Sequence, residues 1–529
     1  MTQAARRRTV VVAAAAVVLA LATAAFVLAV GRGGSDAAPA GDAARFAPRG
    51  TLVWLHVSTD GDREAVSRAD ALLGRFDSWA ALRDGLLQRL SGREEPVSED
   101  DVSPWLGDEA ALALVDTGGQ TAGSLVVVGV EDDTKAREFL DEGSAKKSQS
   151  TYNGTRIDTY GAVSVAISDK HLLIGQNATV RAALDRARGQ GSGLTDDPVY
   201  RRVTRDLPDD RVADAYVSRD GLRRVLMPQG GVVGTLAALL DQPGLQGASA
   251  ALVPEEGRVR LRVRSALAPG TKAAPSFTPK LLDAVPEDAV AYLGSRGIGD
   301  TLGNLLLSAA GGTQSGGVAA VLGRLRTELS KETGGALQRD LLSLLDGEVA
   351  VTALKAGSGG GAATQLALIA EVRDATRTGG VLRRLQEPLA KLLTVEGEGA
   401  PTWSTQDLGD RITASTLTIP NGARLSYAIV GGRLVVATGT DAIRAVASAD
   451  GGLAESDRLD EMGESRPGEV TSLGLLDFSQ LLELGEQTGL SESRAYLAAR
   501  DDLRKIRAVG VRSHGDEGET TAEILLSIP

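Results

Sequence analysis

Two short stretches of similar sequence decide the fold of this chain. Residues 105–116 read WLGDEAALALVD, and residues 344–354 read LLDGEVAVTAL. An apolar strand pattern follows each stretch, SLVVVGVED at 124–132 and QLALIAEVRD at 365–374. The same kinds of element therefore recur in the same order in the two halves, which predicts an internal repeat.

A strand pair and a helix pattern extend this match. They read VSVAISDKHLLIGQNATVRAALDRA at 163–187 and LSYAIVGGRLVVATGTDAIRAVASA at 425–449. Gly431 and Gly432 supply the positive φ angles that a two-residue hairpin turn needs. Strands joined by such turns are antiparallel, and helices intervene in groups. The sequence therefore predicts an α+β fold with two tandem copies of a mostly antiparallel sheet, each with helices on one face.

The N-terminus carries an uncharged apolar run at residues 9–30, preceded by Arg6, Arg7 and Arg8. A helix rises about 1.5 Å per residue, so this run would match the roughly 30 Å hydrocarbon core of a bilayer. The arginines favour a cytoplasmic N-terminus. We expect one N-terminal transmembrane helix ahead of the repeats. A cleaved signal peptide is the alternative, because small residues lie near the end of the run.

These patterns predict the domain boundaries. Glycine, alanine and proline dominate 31–47, which is typical of a flexible tether, and a proline-rich stretch separates the repeats. The predicted order is a cytoplasmic N-terminus (1–8), a transmembrane helix (9–30), a tether (31–47), a first repeat (48–267), a linker (268–284) and a second repeat (285–529). The expected location is the cell membrane, with most of the chain extracytoplasmic.

Composition excludes several classes of partner and site. The 57 basic and 69 acidic residues give a net charge of −12, which argues against nucleic acid as a main partner. Cysteine is absent, so there are no disulfides and no thiolate metal sites. Aromatic residues make up only 3% of the chain, which disfavours a cleft that stacks sugars.

Acidic residues at the repeated junctions are the main candidates for chemistry. Asp108 and Glu109 correspond to Asp346 and Glu348. Two carboxylates near a cleft could act as acid and base. The alternative is structural: Gly107 or Gly347 stops a helix, and the acidic residues begin a solvated strand.

Histidines give no further candidate. His56, His171 and His514 are far apart in sequence and lack the short spacing typical of zinc ligands. We therefore predict no catalytic, cofactor-binding or metal-ligating set and no cofactor.

The chain resembles a family of membrane-anchored actinobacterial proteins grouped as a domain of unknown function with a duplicated ectodomain. The residues behind this resemblance are the strands led by Pro48 and Pro286, the junctions 106–109 and 345–348, and the segment GRLVVATGTDAIRAV at 432–446. The resemblance covers residues 48–529 and implies a fold and a location. It carries no activity.

The leading hypothesis is a non-enzymatic binding or scaffolding role in the cell envelope. The expected partners are the membrane, through the N-terminal helix, and an envelope protein, a peptidoglycan fragment or a lipid. One alternative is an envelope hydrolase or transferase that uses the paired carboxylates. Another is a lipid carrier, which would need an apolar groove.

Overall fold

The structure is a computed structural model. It describes residues 36–81, 99–119, 121–143, 148–229, 233–234, 237, 240–271, 274–297, 336–356, 363–394, 399–420, 422–460, 468–487 and 489–529. The predicted cytoplasmic segment 1–8 and transmembrane segment 9–30 lie outside these residues. Among the residues described, no helix combines the length and the apolar character that crossing a membrane requires.

Among the described residues before 270, the structure has ten strands and six α-helices. The strands are β1 (Thr51–Ser58), β2 (Leu106–Val115), β3 (Gly123–Val130), β4 (Ser148–Tyr152), β5 (Thr155–Tyr160), β6 (Val163–Ser168), β7 (His171–Gly175), β8 (Ala213–Ser218), β9 (Leu245–Glu255) and β10 (Arg258–Leu267). The helices are α1 (Glu64–Leu73), α2 (Glu99–Val102), α3 (Asp133–Gly143), α4 (Asn177–Ala187), α5 (Pro198–Thr204) and α6 (Arg219–Gly221). Shorter turns are the 3₁₀ segments Asp42–Phe46, Leu194–Asp196 and Met227–Gln229 and the π-helix Leu222–Leu226.

The described part of the chain after residue 270 has ten further strands and six α-helices. The strands are β11 (Ala291–Arg296), β12 (Glu348–Ala356), β13 (Ala363–Glu371), β14 (Thr402–Asp407), β15 (Thr413–Thr418), β16 (Arg424–Val430), β17 (Arg433–Ala437), β18 (Ser472–Asp477), β19 (Ala508–Asp516) and β20 (Glu519–Ser527). The helices are α7 (Ala336–Ser343), α8 (Ala375–Leu392), α9 (Thr440–Ser448), α10 (Asp457–Asp460), α11 (Phe478–Gln487) and α12 (Arg494–Leu503). The 3₁₀ segments are Leu281–Ala284, Gly452–Glu455 and Leu490–Glu492.

The chain forms two compact units. Unit 1 contains the described residues up to 271 together with 492–506 and 516–529. Its strands pair in the order β4-β5-β6-β7-β3-β2-β1-β8-β9-β10-β20. The first strand, β1, therefore lies in the interior of the sheet, where β2 and β8 flank it.

Unit 2 contains the described residues from 274 to 491 together with 507–515. Its strands pair in the order β14-β15-β16-β17-β13-β12-β11-β18-β19. Up to its ninth strand this order matches the order in unit 1. The matching register lets positions in the two units be compared residue by residue.

The predicted fold class is wrong. We expected two tandem, mostly antiparallel sheets, but the 20 described strands belong to one sheet, and their pairings are antiparallel. The last strand, β20, pairs along its whole length with β10 of unit 1. Arg260 and Arg262 of β10 form ion pairs with Glu523 of β20. Periodicity shows which face of a strand is apolar but not every strand it pairs with, so the pairing of β20 with β10 was not predicted.

Strand β2 shows why the repeated stretch folds as it does. Residues Ala110 to Val115 are all at most 6% exposed, so both faces of this strand are covered. A strand buried on both faces reads as a continuous apolar run, here built from Ala, Leu and Val. On one side lies a core around Trp54 and Leu125. In unit 2 the equivalent core surrounds Tyr292 and Ile369.

Parts of the predicted tether and linker are packed into the two units. Within 31–47, Ala43 and Phe46 of the first 3₁₀ segment have no exposed surface. Within 268–284, Leu281 and Leu282 of another 3₁₀ segment are at most 2% exposed. Each segment precedes the first strand of its unit, so each unit begins with a buried 3₁₀ turn.

Candidate functional site: a buried cluster around Glu109

A β-bulge turns Glu109 into the core of unit 1. The register between β2 and β3 shifts between Leu106 and Ala110. The backbone is tight there, because a Cβ at Gly107 would lie 2.8 Å from the carbonyl carbon of Gly129. Only glycine fits such a close approach. As a result the Glu109 side chain is 3% exposed.

Two histidines and a backbone amide surround the Glu109 carboxylate. His171 Nε2 lies 3.0 Å from Oε1, and the amide of Ala43 donates to the same oxygen at 3.0 Å. His56 Nε2 lies 3.3 Å from Oε2, a close ion pair without hydrogen-bond alignment. The carboxylate therefore joins β2 to β1, to β7 and to the N-terminal 3₁₀ turn.

Each histidine is held on its far side as well. His56 Nδ1 lies 3.0 Å from Oδ1 of Asp214, which sits directly opposite it on β8. Arg211 Nε also donates to this oxygen, at 2.7 Å. His171 Nδ1 lies 2.8 Å from the carbonyl oxygen of Asp169 in the β6–β7 turn. The rings of His171 and Phe46 are 4.9 Å apart, so the 3₁₀ turn packs on the histidine.

These contacts fix the protonation of both rings. Carboxylate and carbonyl oxygens only accept hydrogen bonds, and each ring nitrogen of His56 and His171 faces one. A nitrogen without a proton would direct its lone pair at an oxygen lone pair. We infer that both rings are imidazolium ions. With Arg211 they oppose the charges of Glu109 and Asp214.

The pKa values shift as this charge pattern requires. Burial lowers the pKa of His56, but Asp214 and Glu109 outweigh burial and raise it to about 9. Burial raises the pKa of Glu109, but the two histidines outweigh it and lower the value to about 2. The pKa of His171 is raised by Glu109 and the Asp169 carbonyl against the effect of burial. These directions favour the charged forms of His56, Glu109 and His171.

In unit 2 the equivalent glutamate, Glu348, lacks histidine partners. Its oxygens accept the backbone amides of Lys280 and Leu281, each at 2.9 Å, so it too holds a 3₁₀ turn. The register places Gly294 where unit 1 has His56 and Leu473 where unit 1 has Asp214. Burial raises the pKa of Glu348, and the two backbone hydrogen bonds only partly oppose this. The same position is thus shifted in opposite directions in the two units.

The four predicted site residues separate into two kinds. Glu109 and Glu348 are buried and hydrogen-bonded to backbone amides, whereas Asp108 and Asp346 are exposed. No sequence pattern links His56 and His171 with Glu109, because 53 or more residues separate them along different strands. The sheet register brings them together. Their inward placement on apolar strands was the one available signal.

Such a buried ion network is suited to holding structure rather than to turning over a substrate. His56, Glu109, His171 and Asp214 are each at most 7% exposed, so a substrate has no direct access to them. Within the described ranges, no group of three or more His, Asp and Glu residues has the arrangement needed to hold a metal ion.

Comparison with known proteins places the chain in a family. The model of DUF3352, described as a protein of unknown function, matches residues 11–528. The chain belongs to this family. The match confirms the predicted resemblance to a domain of unknown function. Membrane anchoring, an actinobacterial source and internal duplication stay predictions.

Other comparisons add little. No curated protein matches the chain. Among solved structures, crystal forms III and I of TP0453 each have 11% identity and a TM-score of 0.27, cover 44% of this chain, and are themselves covered to 82% and 81%. Similarity at this level carries no argument about fold or function.

Matched substitutions test the difference between the two glutamates. E109Q removes the negative charge between two buried imidazolium ions, which should cost about 3–5 kcal/mol of unfolding free energy. E348Q keeps one acceptor oxygen and removes no counter-ion, so about 1–3 kcal/mol is expected. Urea denaturation followed by tryptophan fluorescence measures both, because Trp54, Trp79 and Trp105 report on unit 1 and Trp403 reports on unit 2. Equal losses in the two variants would contradict the charge assignment.

The His56 pKa predicts how stability depends on pH. The folded pKa, about 9, lies above the ordinary histidine pKa of 6.5, so this contribution to stability is complete below pH 6.5 and is lost as pH rises through 9. The loss should total roughly 3 kcal/mol. Glu109 acts at the other end, because its contribution is lost as pH falls from 4.5 through about 2.

The measurement is the urea midpoint between pH 6 and pH 10, with H56L beside the wild type. H56L should be less stable at pH 6 and should show a flatter alkaline decline. A wild-type midpoint that does not fall over this range would refute the assignment.

Proposed function

We propose that this protein binds a component of the cell envelope and performs no reaction on it. The observation that carries this proposal is the use of the repeated carboxylates. Glu109 and Glu348 each accept backbone amides of a 3₁₀ turn and lie in the core. A carboxylate engaged in this way holds the fold together and is poorly placed to act as a general acid or base.

The proposed location rests on the N-terminal sequence. An uncharged apolar run at 9–30 follows three arginines, the pattern of a membrane anchor with its N-terminus in the cytoplasm. This would expose the two units on the extracytoplasmic side. The short interval between the apolar run and unit 1 would also keep unit 1 near the membrane. Ala43 and Phe46 are already packed in unit 1, so the tether can only be short.

The enzymatic alternative depends on the exposed members of the junctions. Asp108 and Asp346 are accessible, and each lies beside a buried glutamate. The acid-base pair of a hydrolase needs two carboxyl groups held at a defined separation around one bond. In each unit the glutamate near the exposed aspartate is buried and accepts backbone amides. This weakens the enzymatic alternative. An apolar cavity in unit 1 favours the lipid alternative.

Binding and catalysis are separated by counting turnovers. The full-length chain is incubated with isolated peptidoglycan and with envelope lipids, and bound material and new products are identified by mass spectrometry. We expect saturable retention of one component with a fixed stoichiometry and no accumulating product. The double variant D108N/D346N, which changes exposed side chains only, should bind equally well. Product in excess over protein, abolished in D108N/D346N, would establish the hydrolase or transferase instead.

A further inference from the structure

Unit 1 contains an apolar cavity of about 200 Å³ between α1 and the β9–β10 hairpin. The side chains that define it are Leu72, Leu73, Phe76, Trp79, Leu252 and Val259. Pro254 and Ile528 complete the hairpin side. The surface that lines the cavity is almost entirely apolar. The cavity lies outside the charged cluster around Glu109 and takes no part in it.

The sequence of α1 explains why space remains there. Ala69 and Leu72 of this helix are 4% exposed and face the sheet, while Leu73 and Phe76 are half-buried at the cavity. Ala69 is short and leaves space between the described residues of α1 and the strands. The cavity is partly open to solvent, so its lining side chains are accessible to an apolar ligand.

The lining determines the chemical class of that occupant. An apolar cavity of about 150 Å³ stays dry and takes up benzene, so one of this size suits a hydrocarbon. A sugar or a peptide would bury hydroxyl or amide groups without hydrogen-bond partners, which is unfavourable. A helix, about 10 Å across, is too wide for such a volume. An aliphatic chain satisfies the lining and needs no polar partner.

A basic side chain lies beside the cavity. Arg75 follows α1 and donates to the carbonyl oxygen of Ile528, which itself lines the cavity. A neutral carbonyl does not balance the guanidinium charge. The cavity therefore combines a hydrocarbon interior with a positive charge beside it. This is the complement of an aliphatic chain that ends in an anionic head.

We propose that this cavity binds the acyl chain of an envelope lipid, with the anionic head of the lipid against Arg75. This inference rests on the proposed binding function and names the ligand class. The lipid enters tail first between α1 and the β9–β10 hairpin. Because the cavity is short, it holds part of one chain rather than a whole lipid. The remainder of the lipid lies outside, close to the membrane from which it comes.

The test uses the full-length chain in membranes and a dodecanoic acid that carries a photoactivatable diazirine near its methyl end. After illumination, labelled peptides are mapped by mass spectrometry. We expect labels on 69–79 and on the β9–β10 hairpin. L73W fills the cavity, so labelling there should fall about tenfold. A71W places the same ring on the exposed face of α1 and should label like the wild type.

A separate experiment tests the charge of Arg75. R75E should weaken labelling by the acid and leave labelling by its methyl ester unchanged. A circular-dichroism melt checks that each variant is folded, and V259F replaces L73W if the latter is not. Labels confined to 9–30, or equal labelling of the cavity in wild type, L73W and V259F, would overturn the proposal. If either of these two results came with stoichiometric retention of peptidoglycan, the proposed binding function would stand. Only the proposal of a lipid ligand would be refuted.

Discussion

A buried carboxylate at the entrance to its second strand is the constraint on which each unit depends. In both units a glutamate that follows a glycine at this junction accepts backbone amides from a 3₁₀ turn and so fixes the start of the unit. Burying an ionised carboxylate is costly unless it is paired. Unit 1 meets this cost with His56 and His171, which lower the pKa of Glu109. In the described part of unit 2, the hydrogen-bond donors to Glu348 are backbone amides, and the pKa of Glu348 is raised.

This difference shows that the shared strand order does not require the charged cluster of unit 1. The two units share a strand order and a glutamate, yet Gly294 and Leu473 stand where His56 and Asp214 form the charged chain. The histidine cluster is thus an addition to unit 1 and not a property of the shared architecture. It stabilises the attachment of the N-terminal segment, on which Phe46 packs against His171. Chemistry that serves a ligand must then be sought elsewhere, and the apolar cavity beside α1 offers it.

Sequence patterns predicted the local elements well where a single residue type decides the geometry. Gly431 and Gly432 both have positive φ, as a two-residue hairpin turn requires. The patterns failed where pairing over distance decides. His56 and Asp214 are 158 residues apart and meet only because β1 and β8 are neighbours. Likewise the pairing of β20 with β10 joins strands that are far apart in the sequence, and no pattern predicted it. The Gly- and Ala-rich composition before Pro48 suggested a tether and concealed a buried 3₁₀ turn.

The central claim is that Glu109 lies between two imidazolium ions, and ring-nitrogen NMR tests it directly. The chain has three histidines, so ¹⁵N-histidine labelling of the full-length protein gives a simple spectrum that substitution of single histidines assigns. We expect both ring nitrogens of His56 and of His171 to carry protons at pH 7.5. A neutral tautomer of either ring at that pH, with one nitrogen unprotonated, would contradict it.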